Sequence, residues 1–198
     1  MNKWFKKTIS LIVFATLFIN LNARVNAKIK LGVEVLLEDQ IHIVEGKKVG
    51  LITNPTGVTS QMVSTVDKFD QNSNIELVAL FGPEHGVRGN VTAGGKIDDY
   101  YDQKTGVPVY SLYGDTRKPT QEMLKDVEIL VYDIQDIGSR SYTYIYTMAY
   151  AMEAAAEKGI PFVVLDRPNP LGGNLVEGPV LEPEFKSFVG LYPIPYVY

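Results

Sequence analysis

"EILVYDIQDIGSRSYTYIYTMAYAMEAAAEKGIPFVVLD", Glu128 to Asp166, runs from an apolar segment through a long helical stretch into a second apolar segment. The flanking runs, 128–133 and 160–166, are rich in Ile, Val and Leu at successive positions, as strands covered on both faces are. Residues 141–158 read as a helix, and Gly159 supplies the residue type that a left-handed helix C-cap favours. Strand, helix and strand in this order predict a βαβ unit, which joins parallel strands.

The same pattern extends toward the N-terminus. Residues 48–53 (KVGLIT), 75–81 (IELVALF) and 107–112 (VPVYSL) are further strand candidates, with helices expected over 60–69 and 120–124. The expected fold class is therefore α/β, a Rossmann-like open, mostly parallel sheet with helices on both faces. A three-layer arrangement with another strand order is the alternative.

Residues 1–27 are expected to be a secretory signal peptide. Lys3, Lys6 and Lys7 precede an apolar run over 9–19 that is too short to span a bilayer, and Val25-Asn26-Ala27 offers small residues for cleavage. Loss of this segment removes four basic residues and no acidic one, taking the formal charge from −4 to −8. So acidic a domain, over 28–198, is not expected to bind nucleic acid or to stay on an anionic membrane. There is no cysteine, so an exported chain of this kind must be held by its core.

Each expected strand runs into a polar turn: NPTG (54–57), GPEHGVRG (82–89), YGDTR (113–117), IQDIGSRSYTY (134–144) and RPNPLGG (167–173). Open α/β sheets bind ligands outside the carboxyl ends of their strands, so these turns are where chemistry is expected. Glu84, set by Gly-Pro beside apolar Phe81, is the leading acid–base candidate; a carboxylate that only caps a turn is the alternative. His85 either orients a carboxylate or bonds substrate, or it is structural. Asp136 and Arg140 flank Gly138 ahead of the long helix, where an anion could be held, or where the helix start is simply salt-bridged. Tyr142, Tyr144 and Tyr146 are two apart and cannot share a helical face.

Asp166 ends an apolar run and is expected to need a partner, which Arg167 either supplies or leaves in order to bind substrate. Pro168 and Pro170 stiffen the turn that presents Asn169, and Glu177 precedes a second Gly-Pro. Two carboxylates, Glu84 and Glu177, facing one cleft would be the minimum equipment for glycoside hydrolysis.

A metal centre is not expected. His42 is the only other histidine, and neither Cys nor HExxH is present. No cofactor is expected either, because the nucleotide motifs GxGxxG and GxxxxGK[ST] are missing, and the absence of GxSxG disfavours an α/β-hydrolase nucleophile elbow.

Taken together, "LGVEVLLED", "GLITNPTGV", "LFGPEHGVRG", "VYDIQDIGSRSYTYIYTM" and "VLDRPNPLGGNLVEGPVL" resemble the exo-β-N-acetylmuramidase family of peptidoglycan-recycling glycosidases, over residues 31–198. The resemblance implies a secreted or periplasmic enzyme that removes N-acetylmuramic acid (MurNAc) from the non-reducing ends of peptidoglycan fragments such as MurNAc-GlcNAc. It implies a Rossmann-like N-terminal domain and a smaller C-terminal one, with the active site between them. On this chain it places Glu84 as the catalytic carboxylate and Glu177 as the second. His85, Asp136, Arg140, Tyr144, Arg167 and Asn169 then fall on the substrate side. The lactyl ether of MurNAc carries a carboxylate that Arg140 or Arg167 could bind in bidentate fashion. The family pattern continues past "LYPIPYVY" into the C-terminal domain, so the chain is expected to represent an N-terminal catalytic half. A non-catalytic muropeptide-binding module or an inactive fragment is the competing expectation.

Overall fold

The computed structural model describes residues 29–89 and 98–194; the expected signal peptide lies outside the described residues. In chain order the elements are α1 (Gly32–Asp39), β1 (Lys48–Thr53), α2 (Thr65–Asp70), β2 (Glu76–Gly82), β3 (Tyr100–Tyr101), β4 (Pro108–Ser111), β5 (Ile129–Asp133), α3 (Tyr144–Lys158) and β6 (Phe162–Val164).

The strands form one sheet in the order β3-β4-β2-β1-β5-β6. All neighbours are parallel except β3, which runs antiparallel to β4 at one margin. The chain steps outward from β1 through β2 to β4, then crosses back to place β5 and β6 on the other side of β1. Strand order thus reverses between β1 and β5, the point where doubly wound sheets open a crevice at their carboxyl ends.

The period of two along each strand creates two separate cores. Val49, Leu51, Leu80, Ile129 and Val131 face one side, where Val33 and Leu36 of α1 and Val66 and Phe69 of α2 cover them. Ile52, Phe81, Leu130 and Tyr132 face the other, against Ala151, Ala154 and Ala155 of α3. The three alanines let α3 lie close to the sheet. Burying Phe69 completely contributes about 2–3 kcal/mol by area. Helices on both faces of a mostly parallel sheet are what the apolar runs predict.

Several elements differ from expectation. The 60–69 stretch is helical only from Thr65, because the Thr59 hydroxyl and carbonyl take the N–H groups of Gln61, Met62 and Val63 into a local loop. Residues 120–124 form turns with mixed hydrogen-bond spacing instead of a helix. Helix α3 begins at Tyr144 rather than 141 and closes as predicted: Gly159 has φ 75°, and the Ile160 N–H donates to the Ala155 carbonyl. Helix α1 and strand β3 were not anticipated. The Glu34 carboxylate secures α1 by accepting the Leu31 N–H at 3.1 Å, and Gly32 is needed because a Cβ there would lie 2.4 Å from the Asp166 nitrogen.

Candidate active site

At the end of β2 the chain turns sharply over 83–86, with the Gly86 N–H donating to the Pro83 carbonyl at 2.9 Å. The turn sets His85 at φ 72°, a left-handed conformation that costs a non-glycine residue about 1–2 kcal/mol. Strain of this kind persists where the surroundings over-determine it, commonly at functional sites. Its effect here is to present Glu84 and His85, both half-buried, beyond the sheet edge.

Glu84 meets the loop after β4. Strand register aligns Gly82 with Ser111, and the Leu112 N–H donates to the Gly82 carbonyl at 2.8 Å, so the two loops leave the sheet together. The Tyr113 hydroxyl bonds the Glu84 carboxylate, and this bond holds the phenol above its ordinary range. Arg117, on the same loop, stacks its guanidinium 3.9 Å from the centroid of the Phe188 ring. Glu84, Tyr113, Arg117 and Phe188 line one hollow, with Thr147 and Tyr150 of α3 as its further wall.

The switch point supplies the next side. After β1, the Asn54 Oδ1 accepts the Thr56 N–H at 2.9 Å and the Thr56 hydroxyl at 2.5 Å, fixing the turn. The Asn54 side chain also bonds the Tyr144 hydroxyl; burial raises that phenol, the Asn54 bond opposes it, and the charge of nearby Glu84 raises it further. Tyr144 therefore joins the first turn of α3 to the Glu84 region. Its neighbours behave as their spacing requires: Tyr146 is buried and Tyr142 exposed.

A second hollow lies beside the first turn of α3, lined by Asp136, Gly138, Arg140, Asn169 and Ile194. Asp136 Oδ1 accepts the Gly138 N–H at 2.5 Å, and Asn169 Oδ1 accepts the Leu171 N–H at 2.9 Å. Gly138 has φ 74°, and a Cβ on it would fall 2.6 Å from Asn169 Nδ2. Arg140 donates through one nitrogen to the carbonyls of Pro179 and Ile194, at 3.2 and 3.3 Å. Asp136, Arg140 and Asn169 are thus brought together.

Arg167 needs a correction. Its Nε and Nη2 donate to Asp133 at 2.7 and 3.0 Å, Nη2 also donates to the Val58 carbonyl, and its side chain is 5% exposed. The carboxylate needing a partner is Asp133, at the end of β5, which has a strand on each side, whereas Asp166 beyond marginal β6 is exposed. Arg167 therefore holds the fold rather than the substrate. Arg88 behaves alike: it bonds both oxygens of Asp102 and one of Asp67, and holds the Asp102 carboxyl down at about 2. Glu177 sits in the exposed segment 171–180 and lines neither hollow. Among the described residues no three His, Cys, Asp or Glu side chains gather as metal ligands would.

Asn54, Tyr113, Arg117 and Phe188 are the site residues that sequence reasoning did not single out. The turns NPTG and YGDTR following two strands were the available signal for the first three; nothing marked Phe188.

Residues 49–198 match the family model described as exo-beta-N-acetylmuramidase NamZ, N-terminal. The chain is 65% identical over 168 residues to the peptidoglycan beta-N-acetylmuramidase NamZ of Bacillus subtilis (strain 168), covering 85% of this chain and 41% of that protein. Two crystal structures of DUF1343 family proteins from Bacteroides fragilis NCTC 9343 superpose with TM-scores of 0.79 and 0.71, at 60% and 39% identity. Each match covers 85% of this chain and 42% of theirs, so the chain spans about two fifths of the length of these relatives.

Proposed function

The chain belongs to the exo-β-N-acetylmuramidase N-terminal family, and from this premise we propose that it carries the Glu84 side of a glycosidase acting on peptidoglycan fragments. The reaction is release of MurNAc from non-reducing ends, as in MurNAc-GlcNAc, during wall turnover. One observation carries this reading: the strained turn that aims Glu84 into a hollow shared with Tyr113 and the first turns of α3.

In this mechanism Glu84 moves the proton at the glycosidic oxygen, and an oxocarbenium-like sugar forms as the bond breaks. Tyr113 holds the carboxylate in place. A second carboxylate activates water or attacks the sugar directly; Glu177 is the candidate. His85, Asp136, Arg140, Tyr144 and Asn169 serve the substrate side, contacting hydroxyl and acetamido groups. The protein works outside the cytoplasm after loss of residues 1–27, and a C-terminal half of the kind its longer relatives carry completes the cleft.

The exposure of Glu177 outside both hollows favours a second reading, a muropeptide-binding module without turnover. Incubation with MurNAc-GlcNAc, following free MurNAc chromatographically, separates the two. The enzyme reading expects release that falls by about 10²–10⁴ in Glu84→Gln. Release that survives this substitution removes Glu84 from the chemistry, and sugar binding without release supports the module.

A further inference from the structure

MurNAc differs from N-acetylglucosamine only by a lactyl ether on the ring, and its carboxylate is the one charged feature by which a site can distinguish them. Arginine and lysine are the residues equipped to bind it. Near the carboxyl ends of the strands most such cations are already engaged. Arg167 is buried on Asp133, Arg88 is spread over Asp67 and Asp102, and Lys118 pairs with Glu153 and Glu157. Arg140 lines the other hollow and spends one nitrogen on two main-chain carbonyls.

Arg117 is different. It is exposed, it lines the hollow that contains Glu84, and among the described residues it makes no ion pair. Its guanidinium lies 3.9 Å over the centroid of the Phe188 ring, and its charge also acts on the Tyr113 phenol. Stacking occupies only the face of a guanidinium. The N–H groups lie in its plane and stay available as a fork of donors, while the ring limits the orientations that the fork can take. An exposed guanidinium anchored over a ring is suited to a planar, two-oxygen anion.

From these contacts we infer that Arg117 binds the lactyl carboxylate of the muramic acid residue, with Phe188 as the platform that orients it. Glu84 and the specificity contact then act on one sugar from the rim of a hollow too narrow to enclose it, the reacting centre and the carboxylate being on the same residue. The choice of ligand rests on the glycosidase reading; the site itself rests on the disposition of Arg117.

The test measures binding, so it does not depend on turnover. The full chain is titrated with free MurNAc and, separately, with N-acetylglucosamine, by calorimetry or protein-observed NMR. Wild type is expected to bind MurNAc about ten- to a hundredfold more tightly, the range that hydrogen bonds to a charged group supply. Arg117→Gln should bring the two affinities together and leave that for N-acetylglucosamine unchanged. Arg117→Lys, which keeps the charge and loses the fork, should fall between. Equal or undetectable binding of the two sugars by wild type overturns the inference, as does a preference that survives Arg117→Gln. MurNAc release from MurNAc-GlcNAc is followed in parallel. Preference abolished by Arg117→Gln with no release from any form keeps the carboxylate site and removes the glycosidase reading. Release with KM unchanged in Arg117→Gln does the converse.

Discussion

Replacing Arg167 by Met tests whether this arginine belongs to the fold. Asp133 is fully buried, and its carboxylate accepts two Arg167 N–H groups, at 2.7 and 3.0 Å, together with the Thr65 hydroxyl at 2.5 Å. Methionine fills much of the same space and removes the cation, leaving a buried carboxylate with one hydroxyl donor. Breaking such a pair from one side costs about 3–5 kcal/mol, a large part of the roughly 5–15 kcal/mol that holds a domain together. At a urea slope of about 2 kcal/mol per molar the midpoint should fall by about 2 M. Far-UV circular dichroism is the suitable probe, because the single tryptophan is Trp4, ahead of the described residues. Adding Asp133→Asn to Arg167→Met should recover part of the loss, since an amide accepts the Thr65 hydroxyl and needs no cation. A single substitution that costs under about 1 kcal/mol, or a double one no more stable than the single, would refute the reasoning. Unchanged stability with weakened sugar binding would return Arg167 to the substrate side.

Two further predictions concern stability. The Arg88 bond holds Asp102 at about 2 against an ordinary 3.8, so this carboxylate stabilises the fold above the higher value and the contribution is lost as pH falls toward the lower. The loss is on the order of 2 kcal/mol; melting temperatures from about pH 5 to pH 2 should show the deficit of Asp102→Asn shrinking relative to wild type. Gly138→Ala forces a side chain into a left-handed position against Asn169 and should cost on the order of 2 kcal/mol, with loss of sugar affinity measured by titration.

The sequence made the sheet centre readable and its margins less so. β1 coincides with its expected run, and β5 begins one residue late, because strands covered on both faces are uninterrupted apolar runs. β3 has two residues and α1 eight, too few for periodicity to reveal. Glu84, Asp136 and Asn169 could be located because Gly and Pro punctuate the turns that present them. The partner of Arg167 was misassigned for a topological reason: 128–133 and 160–166 look alike as apolar runs, but one has a strand on each side and the other lies at the sheet edge. Arg117 becomes notable only when β2 and β4 pair and carry its loop to Glu84.

The placement of β1 between β2 and β5 also governs how the chain can fold. Thr53 pairs with Asp133 and donates its hydroxyl to that carbonyl across 80 positions of sequence. Closing a segment of that length costs about 4 kcal/mol of chain entropy before any contact offsets it. The middle of the sheet therefore cannot be completed by local contacts, and β1 gains its second neighbour only once β5 has been synthesised.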